Sequence, residues 1–208
     1  MIYDPLWRHL KPYKGKAIKK AMLTIITPCA RPENLKLLEE SLELDLVKWL
    51  IVYDTKNGPF TPRYNHPNIR EIGHPTPPGG RAGHAQRNRG MSQVVEGFIY
   101  FLDDDTVMHP GFWKIFPLMK DEEHFYTFDQ QRWDEFVDVP GGTFKGNVPA
   151  VTKIDSAQYV VPRYMCGSFI EDDYRADGFF IAEVNSNFPG AHTYIPTVAA
   201  YYNFLRRG

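Results

Sequence analysis

The chain has 208 residues, enough for one domain or one domain with a lobe, and its 43% apolar content supports a sizeable core. A net charge of −1 with no Lys/Arg stripe argues against nucleic acid as the main partner; the one basic run, from Arg8 to Lys20, reads as a solvated arm. Two distant cysteines, Cys29 and Cys166, lack metal-thiolate spacing and read as free thiols, and no signal peptide or ~20-residue apolar span is evident, so the expectation is a soluble, cytoplasmic protein without a membrane span.

In chain order, Met22–Thr27 (MLTIIT) predicts a buried strand. Arg31-Pro32-Glu33 then opens a helix whose Leu35, Leu38 and Leu42 share one face. Trp49–Tyr53 (WLIVY) predicts a second strand ending at Asp54, and Ile69–Ile72 a third. The segment HPTPPGG is a rigid-then-flexible loop. A helix follows from Ala82 to about Val95, with Met91, Val94 and Val95 turned inward; Gly90 inside it costs about 1 kcal/mol against Ala. Phe98–Leu102 predicts the next strand, and Pro110 begins a helix through about Met119. Such alternation is the signature of a parallel sheet covered on both faces. In the second half, Phe125–Phe128, Val148–Lys153 and Gln158–Val161 predict strands between Gly/Pro turns, able to form a mixed sheet facing the first. Asp129 to Asn147 reads as a long, Gly-rich binding loop, and the terminal AAYYNFLRR either closes a site or packs as a last helix.

The strand Phe98–Leu102 ends in Asp103, Asp104 and Asp105. Adjacent like charges at a buried strand end need water, a helix cap or a cation. Thr106-Val107-Met108 separates them from Pro110, which weakens the cap. Ligands of parallel α/β sheets sit beyond the carboxyl ends of the strands, where Asp54 and the triplet both lie. Oxygen-only ligands favour a hard cation, Mg²⁺ or Mn²⁺. On extended backbone, Asp103 and Asp105 would share a side. Arg81, after Gly79-Gly80 at a predicted helix start, suits an anion.

Two enzyme classes fit. Asp103, Asp105 and Val107 match the D-x-D-x-[TV] motif of haloacid dehalogenase-type phosphatases, with Lys153, Asp172 and Asp173 available for later motifs. That family's nucleophile follows the first strand of its core, whereas here the triplet follows the fourth predicted strand. The alternative is a nucleotide-sugar glycosyltransferase. LTIITPCARPENL and LIVYD resemble the first two strands of the GT-A fold. RAGHAQRNRG followed by GFIYFLDDD is similar to the arginine-rich helix and acid triplet of the family 43 glucuronosyltransferases. ADGFFIAEV resembles the acid-then-helix element of inverting, family-2-like enzymes, with Ala176 where those usually carry a second acid.

The resemblance implies an α/β, Rossmann-like GT-A mixed sheet flanked by helices, with a smaller acceptor-side sheet. It implies one domain over residues 1–208, with a nucleotide-binding half to about residue 120 and an acceptor half beyond. The implied reaction is a metal-dependent, inverting transfer from a nucleoside diphosphate sugar, UDP-sugar favoured, to a glycan or other hydroxyl acceptor, with Mn²⁺ or Mg²⁺. The implied metal ligands are Asp105 and, late in the chain, His192. Asp103 and Asp104 would face the ribose or donor sugar, Thr27 and Pro28 would pass the nucleotide, Arg87 with Asn88 would match a QRN donor-binding element, and Asp177 would be the catalytic base. An Asp in that position also caps helices. Beside these, Asp54 can accept the N3–H of uracil or shape a turn before Asn57-Gly58, and Arg31 can reach a phosphate or the base or be solvated. Asp155 can bond a donor-sugar hydroxyl. Asp173, with Asp172, is the fallback acid on the acceptor side or part of an exposed turn. Trp113, Trp133 and Tyr174 can stack on acceptor sugars or be core. A non-catalytic nucleotide-sugar binding module is the third reading.

Overall fold

The computed structural model describes residues 23–81, 83–134 and 139–205; the basic run at residues 8–20 and the side chain of Trp133 lie outside the described set. Four parallel strands form the first half of the sheet: β1 (Leu23–Cys29), β2 (Val47–Asp54), β3 (Ile69–His74) and β4 (Phe98–Phe101), in the order β3-β2-β1-β4. Their side chains alternate between two cores, as extended backbone requires. Ile25, Trp49, Ile51, Phe98 and Tyr100 join Leu35 and Leu38 of α1 (Leu35–Glu40) and Phe112 and Ile115 of α3 (Pro110–Ile115). Ile26, Leu50, Val52, Ile99 and Phe101 join Met91 of α2 (His84–Met91) and Phe180, Ile181 and Val184 of α4 (Ala176–Asn187). Burial on both faces is why these strands read as unbroken apolar runs.

The strands of the second half continue this sheet rather than face it. β8 (Tyr159–Pro162) pairs antiparallel with β4, and β6 (Phe125–Asp134) pairs antiparallel with β8. β9 (His192–Tyr202) runs parallel to β6, the short β5 (Val107–Met108) closes antiparallel on β9, and β7 (Val139–Phe144) folds back on β6. The described residues thus form one nine-stranded mixed sheet flanked by helices.

Several expected elements differ. Val148–Lys153 is a turn: the Ala150 and Lys153 N–H groups bond the Val148 and Ala150 carbonyls, Thr152 has φ 64°, and Pro149 has no N–H for a ladder. The expected loop from Asp129 to Asn147 is mostly the β6–β7 hairpin. The terminal segment ends β9 and then turns at Asn203 (φ 59°) instead of forming a helix. α2 stops at Met91, leaving Val95 92% exposed rather than turned inward. Gly90 has a packing reason: a Cβ there would lie 2.5 Å from Ile26 Cγ2, so α2 sits directly on β1. No helix among the described residues is long and apolar enough to cross a membrane, and Cys29 and Cys166 are both free thiols.

Candidate active site

The carboxyl ends of β1, β2 and β4 open on a pocket of about 470 Å³. β1 and the turn after it supply Pro28 and Arg31, β2 supplies Asp54, the segment before α2 supplies Arg81, and the end of β4 supplies the triplet. Gly83 (φ 72°) makes this approach possible, because a Cβ would lie 2.7 Å from Pro28 Cβ.

Two arginines divide the triplet. The backbone turns at Asp104 and Asp105, with the Thr106 N–H bonding the Asp103 carbonyl, so the alternation expected for an extended chain is lost. Asp104 and Asp105 both face Arg31, and Asp103 faces Arg87. Asp104 is nearly saturated. Its Oδ2 accepts the Ala30 and Arg31 N–H groups at 2.7 Å each, and its Oδ1 accepts Arg31 Nε at 2.9 Å and lies 2.6 Å from an Arg31 terminal nitrogen. It therefore fastens the β1–α1 turn to the end of β4, rather than turning to a ribose or donor sugar. Arg31 also reaches Asp105 Oδ2 at 2.9 Å. Burial and Asp103 push the Asp105 carboxyl up, and Arg31 opposes them.

Arg87, expected in a donor-binding element, is fully buried on α2. Its guanidinium pairs with Asp103, lies 3.0 Å from His84 Nδ1 and 3.8 Å from Asp177 Oδ1, and donates to the Ser156 hydroxyl at 3.3 Å. Phe169 lies under it, 5.5 Å from ring centre to guanidinium carbon. Asn88 ties the same helix to residues 169–171 through the Phe169 backbone and the Glu171 carboxylate. Burial and the Arg87 charge push His84 down to about 4, so it is neutral at pH 7. Burial raises both Asp155 and Asp177; Asp103 and Asp177 add to the effect on Asp155, while Arg87 pulls Asp177 back. Asp177 is the second residue of α4, not its cap, and its Oδ1 is buried with no hydrogen-bond partner. Asp155 caps the short turn at Ser156–Gln158, its Oδ1 accepting the Ala157 N–H at 3.3 Å.

Other expected site residues are placed differently. Thr27 is core, its hydroxyl accepting the Trp49 indole N–H at 2.9 Å, while Pro28 reaches the pocket. Asp54 latches β2 to the segment after β3, accepting the Lys56 and Thr76 N–H groups on Oδ1 and the Thr76 hydroxyl on Oδ2 at 2.8 Å. Burial works to raise its pKa, but those donors hold it below the ordinary value. Arg81 is exposed on the pocket wall, three residues before α2 rather than at its first turn. Asp173 is paired with Arg175 through both oxygens and held down to about 2, which leaves it a poor base. His192 lies away from Asp105: it starts β9 opposite Phe125 while Tyr202 at the pocket lies opposite Arg132, about 23 Å further along β6, and it is bonded to the Thr127 hydroxyl at 2.7 Å and stacked on Phe125. Trp113 is buried, donating to the Ser41 carbonyl. Tyr174 does line the pocket, 72% exposed.

Sequence reading missed Lys56, Thr76, Gln86 and Asn203 in the wall, and His84 and Ser156 around Arg87. Only the ambiguity over the terminal segment hinted at Tyr202 and Asn203. Among the described residues, no group of three or more His, Cys, Asp or Glu could hold a metal ion alone. A hard cation bound by one or two carboxylates, water and a ligand's phosphates is compatible with what is present. Asp105 Oδ1 has a 3.4 Å contact with the Thr106 hydroxyl, and Arg87 pairs with Asp103 through Oδ1.

No family model matches the chain, and no curated protein does. Among solved structures, it is similar to S. aureus TarS 1–349 in complex with UDP-GlcNAc, at 15% identity and a TM-score of 0.60, over 86% of this chain and 57% of that one. It is also similar to the mannosyltransferase PcManGT from Pyrobaculum calidifontis in complex with GDP-Man and Mn²⁺, at 12% identity and a TM-score of 0.64, over 97% of this chain and 63% of that one. The fold is that of GT-A glycosyltransferases. The chain spans less than two thirds of the length of either neighbour.

Proposed function

We propose that this chain is a glycosyltransferase core that takes a sugar from a nucleoside diphosphate donor and passes it, with inversion, to a hydroxyl acceptor. One observation carries the reading. A polar pocket at the carboxyl ends of three parallel strands holds an acid triplet, and Arg87 lies between the triplet's first member and a further partly buried carboxylate, Asp177. The donor half needs cationic groups for a diphosphate and a wall for a nucleoside, and Arg31, Arg81, Pro28 and Asp54 border that space. The Arg87–Asp103 pair ties the arginine-rich helix to the triplet.

Asp177 suits a general base because burial raises its carboxyl toward the operating pH while its side chain stays 20% exposed. Arg87 pairs with Asp103 and sits 3.8 Å from Asp177, so its charge acts on both the donor side and the proton-accepting side. Asp105, assisted by Asp103, would hold a divalent ion, which when bound supplies positive charge to the leaving diphosphate. Tyr174 and Tyr202 at the pocket present faces on which a sugar can stack.

The donors of the two structural neighbours differ in base, so the test uses both UDP and GDP. A tight ligand of the folded state raises its melting temperature. One of the two diphosphates with Mn²⁺ is expected to raise it by several degrees, and Asp177→Asn is expected to retain that shift while losing transfer and slow donor hydrolysis. No shift with either nucleotide would overturn the donor site. Binding without hydrolysis in the wild type would favour the non-catalytic module.

A further inference from the structure

Arg31 differs from Arg87 in one decisive respect. Both neutralise the triplet, but Arg87 is sealed in the core whereas the Arg31 side chain is 38% exposed on the pocket wall. Its carboxylate partners are not mobile: the side chains of Asp104 and Asp105 are 3% and 8% exposed, and Asp104 is tied by two backbone N–H groups. The moving part of this cluster is therefore the guanidinium. It occupies the Oδ2 side of Asp105, the carboxylate a divalent ion would use. Three acids against two arginines leave a net charge of −1, which a divalent ion would over-compensate. With a divalent ion on Asp105, a guanidinium 2.9 Å from the same carboxylate is repelled by a like charge.

We infer that Arg31 is the resident counter-ion of Asp105, competing with a divalent cation for that carboxylate and passing to the donor diphosphate when the cation binds. Its handover to the diphosphate rests on the donor reading above. Arg31 thus keeps the acid pair folded and neutralised without metal, and becomes a phosphate ligand once displaced. The planar fork that spans Asp104 and Asp105 also matches two phosphate oxygens, so one side chain can serve either state.

The prediction is an effect of opposite sign on two ligands. In Arg31→Gln, Mn²⁺ alone, followed by electron paramagnetic resonance of the free ion, should bind about tenfold more tightly than in wild type, because a competing charge is gone. UDP or GDP in the presence of saturating Mn²⁺ should bind about tenfold more weakly, because the phosphate ligand that the cation releases is gone. Arg31→Lys should fall between wild type and Arg31→Gln for both ligands. Both affinities falling together, or Mn²⁺ affinity no higher in Arg31→Gln, would overturn the inference, since a purely structural role gives one or the other. Failure of the wild type to bind either nucleotide, with or without Mn²⁺, would instead sink the donor reading. Should Arg31→Gln not fold, the wild type still decides. Titration with Mg²⁺ should accelerate water exchange of the Arg31 Nε–H, now held 2.9 Å from Asp104 Oδ1, and an unchanged exchange rate at saturation refutes displacement.

Discussion

Arg87 shows how much one residue can commit. A guanidinium in the core is tolerable only because Asp103 and Asp177 lie around it, and those acids are in turn dependent on it. Arg87→Met should destabilise the protein by about 3 kcal/mol in urea unfolding, since it leaves two partly buried carboxylates uncompensated. Asp177 should behave in the opposite way. Its folded pKa is raised by burial, so between the ordinary carboxylate range and that raised value the native chain holds a proton the unfolded chain has released. Its contribution therefore falls as pH climbs through that window. His84, held down to about 4 from 6.5, works against this, because the unfolded chain binds the extra proton there. Replacing Asp177 by Asn removes only the falling part. Relative to wild type, the variant should gain about 1 kcal/mol in unfolding free energy between pH 5 and pH 7, while transfer is lost. A constant difference across that range would mean that Asp177 is not perturbed.

At the scale of elements, the site exists because α2 lies hard against β1. Two glycines permit it: Gly83 in the left-handed region beside Pro28, and Gly90 over Ile26. Gly90→Ala is a helix-favouring change in isolation, by about 1 kcal/mol. Here its Cβ would meet Ile26 Cγ2 at 2.5 Å, so the net effect should be destabilising by about 1–3 kcal/mol, measurable by thermal or urea unfolding. If α2 shifts to relieve the contact, Arg87 moves with it, and activity should fall further than stability alone explains. The turn at Asp104 is a second such device. By holding the Ala30 and Arg31 N–H groups, it fixes the loop that carries Arg31 relative to the end of β4.

Over the whole molecule, the pocket is completed by the chain's far end. β9 runs beside β6 and delivers Tyr202 and Asn203 to the same wall as β1 and β4, and the Leu205 N–H bonds the Asp105 carbonyl at 2.9 Å. Tyr202→Ala should weaken nucleotide binding about tenfold in calorimetry with little change in unfolding free energy, and Tyr202→Phe should restore it, because a ring face rather than a hydroxyl is what a ligand would use. Much of this plan was legible in order along the chain. Apolar runs such as LTIIT and FIYFL buried on both faces specify inner parallel strands, and the spacing of Leu35, Leu38 and Leu42 sets the core face of α1, because these patterns depend on local periodicity. The partners of charge were not legible. Alternation along an extended chain placed Asp103 with Asp105 and the family resemblance linked His192 to the metal, yet a turn gave Asp104 and Asp105 to Arg31, Asp103 to Arg87, and β9 carried His192 to the opposite end of the sheet. Periodicity reports which residues leave water. Which buried or half-buried charges meet is set by distances between elements, 16 residues apart for Arg87 and Asp103 and 73 for Arg31 and Asp104, and only the assembled fold determines those.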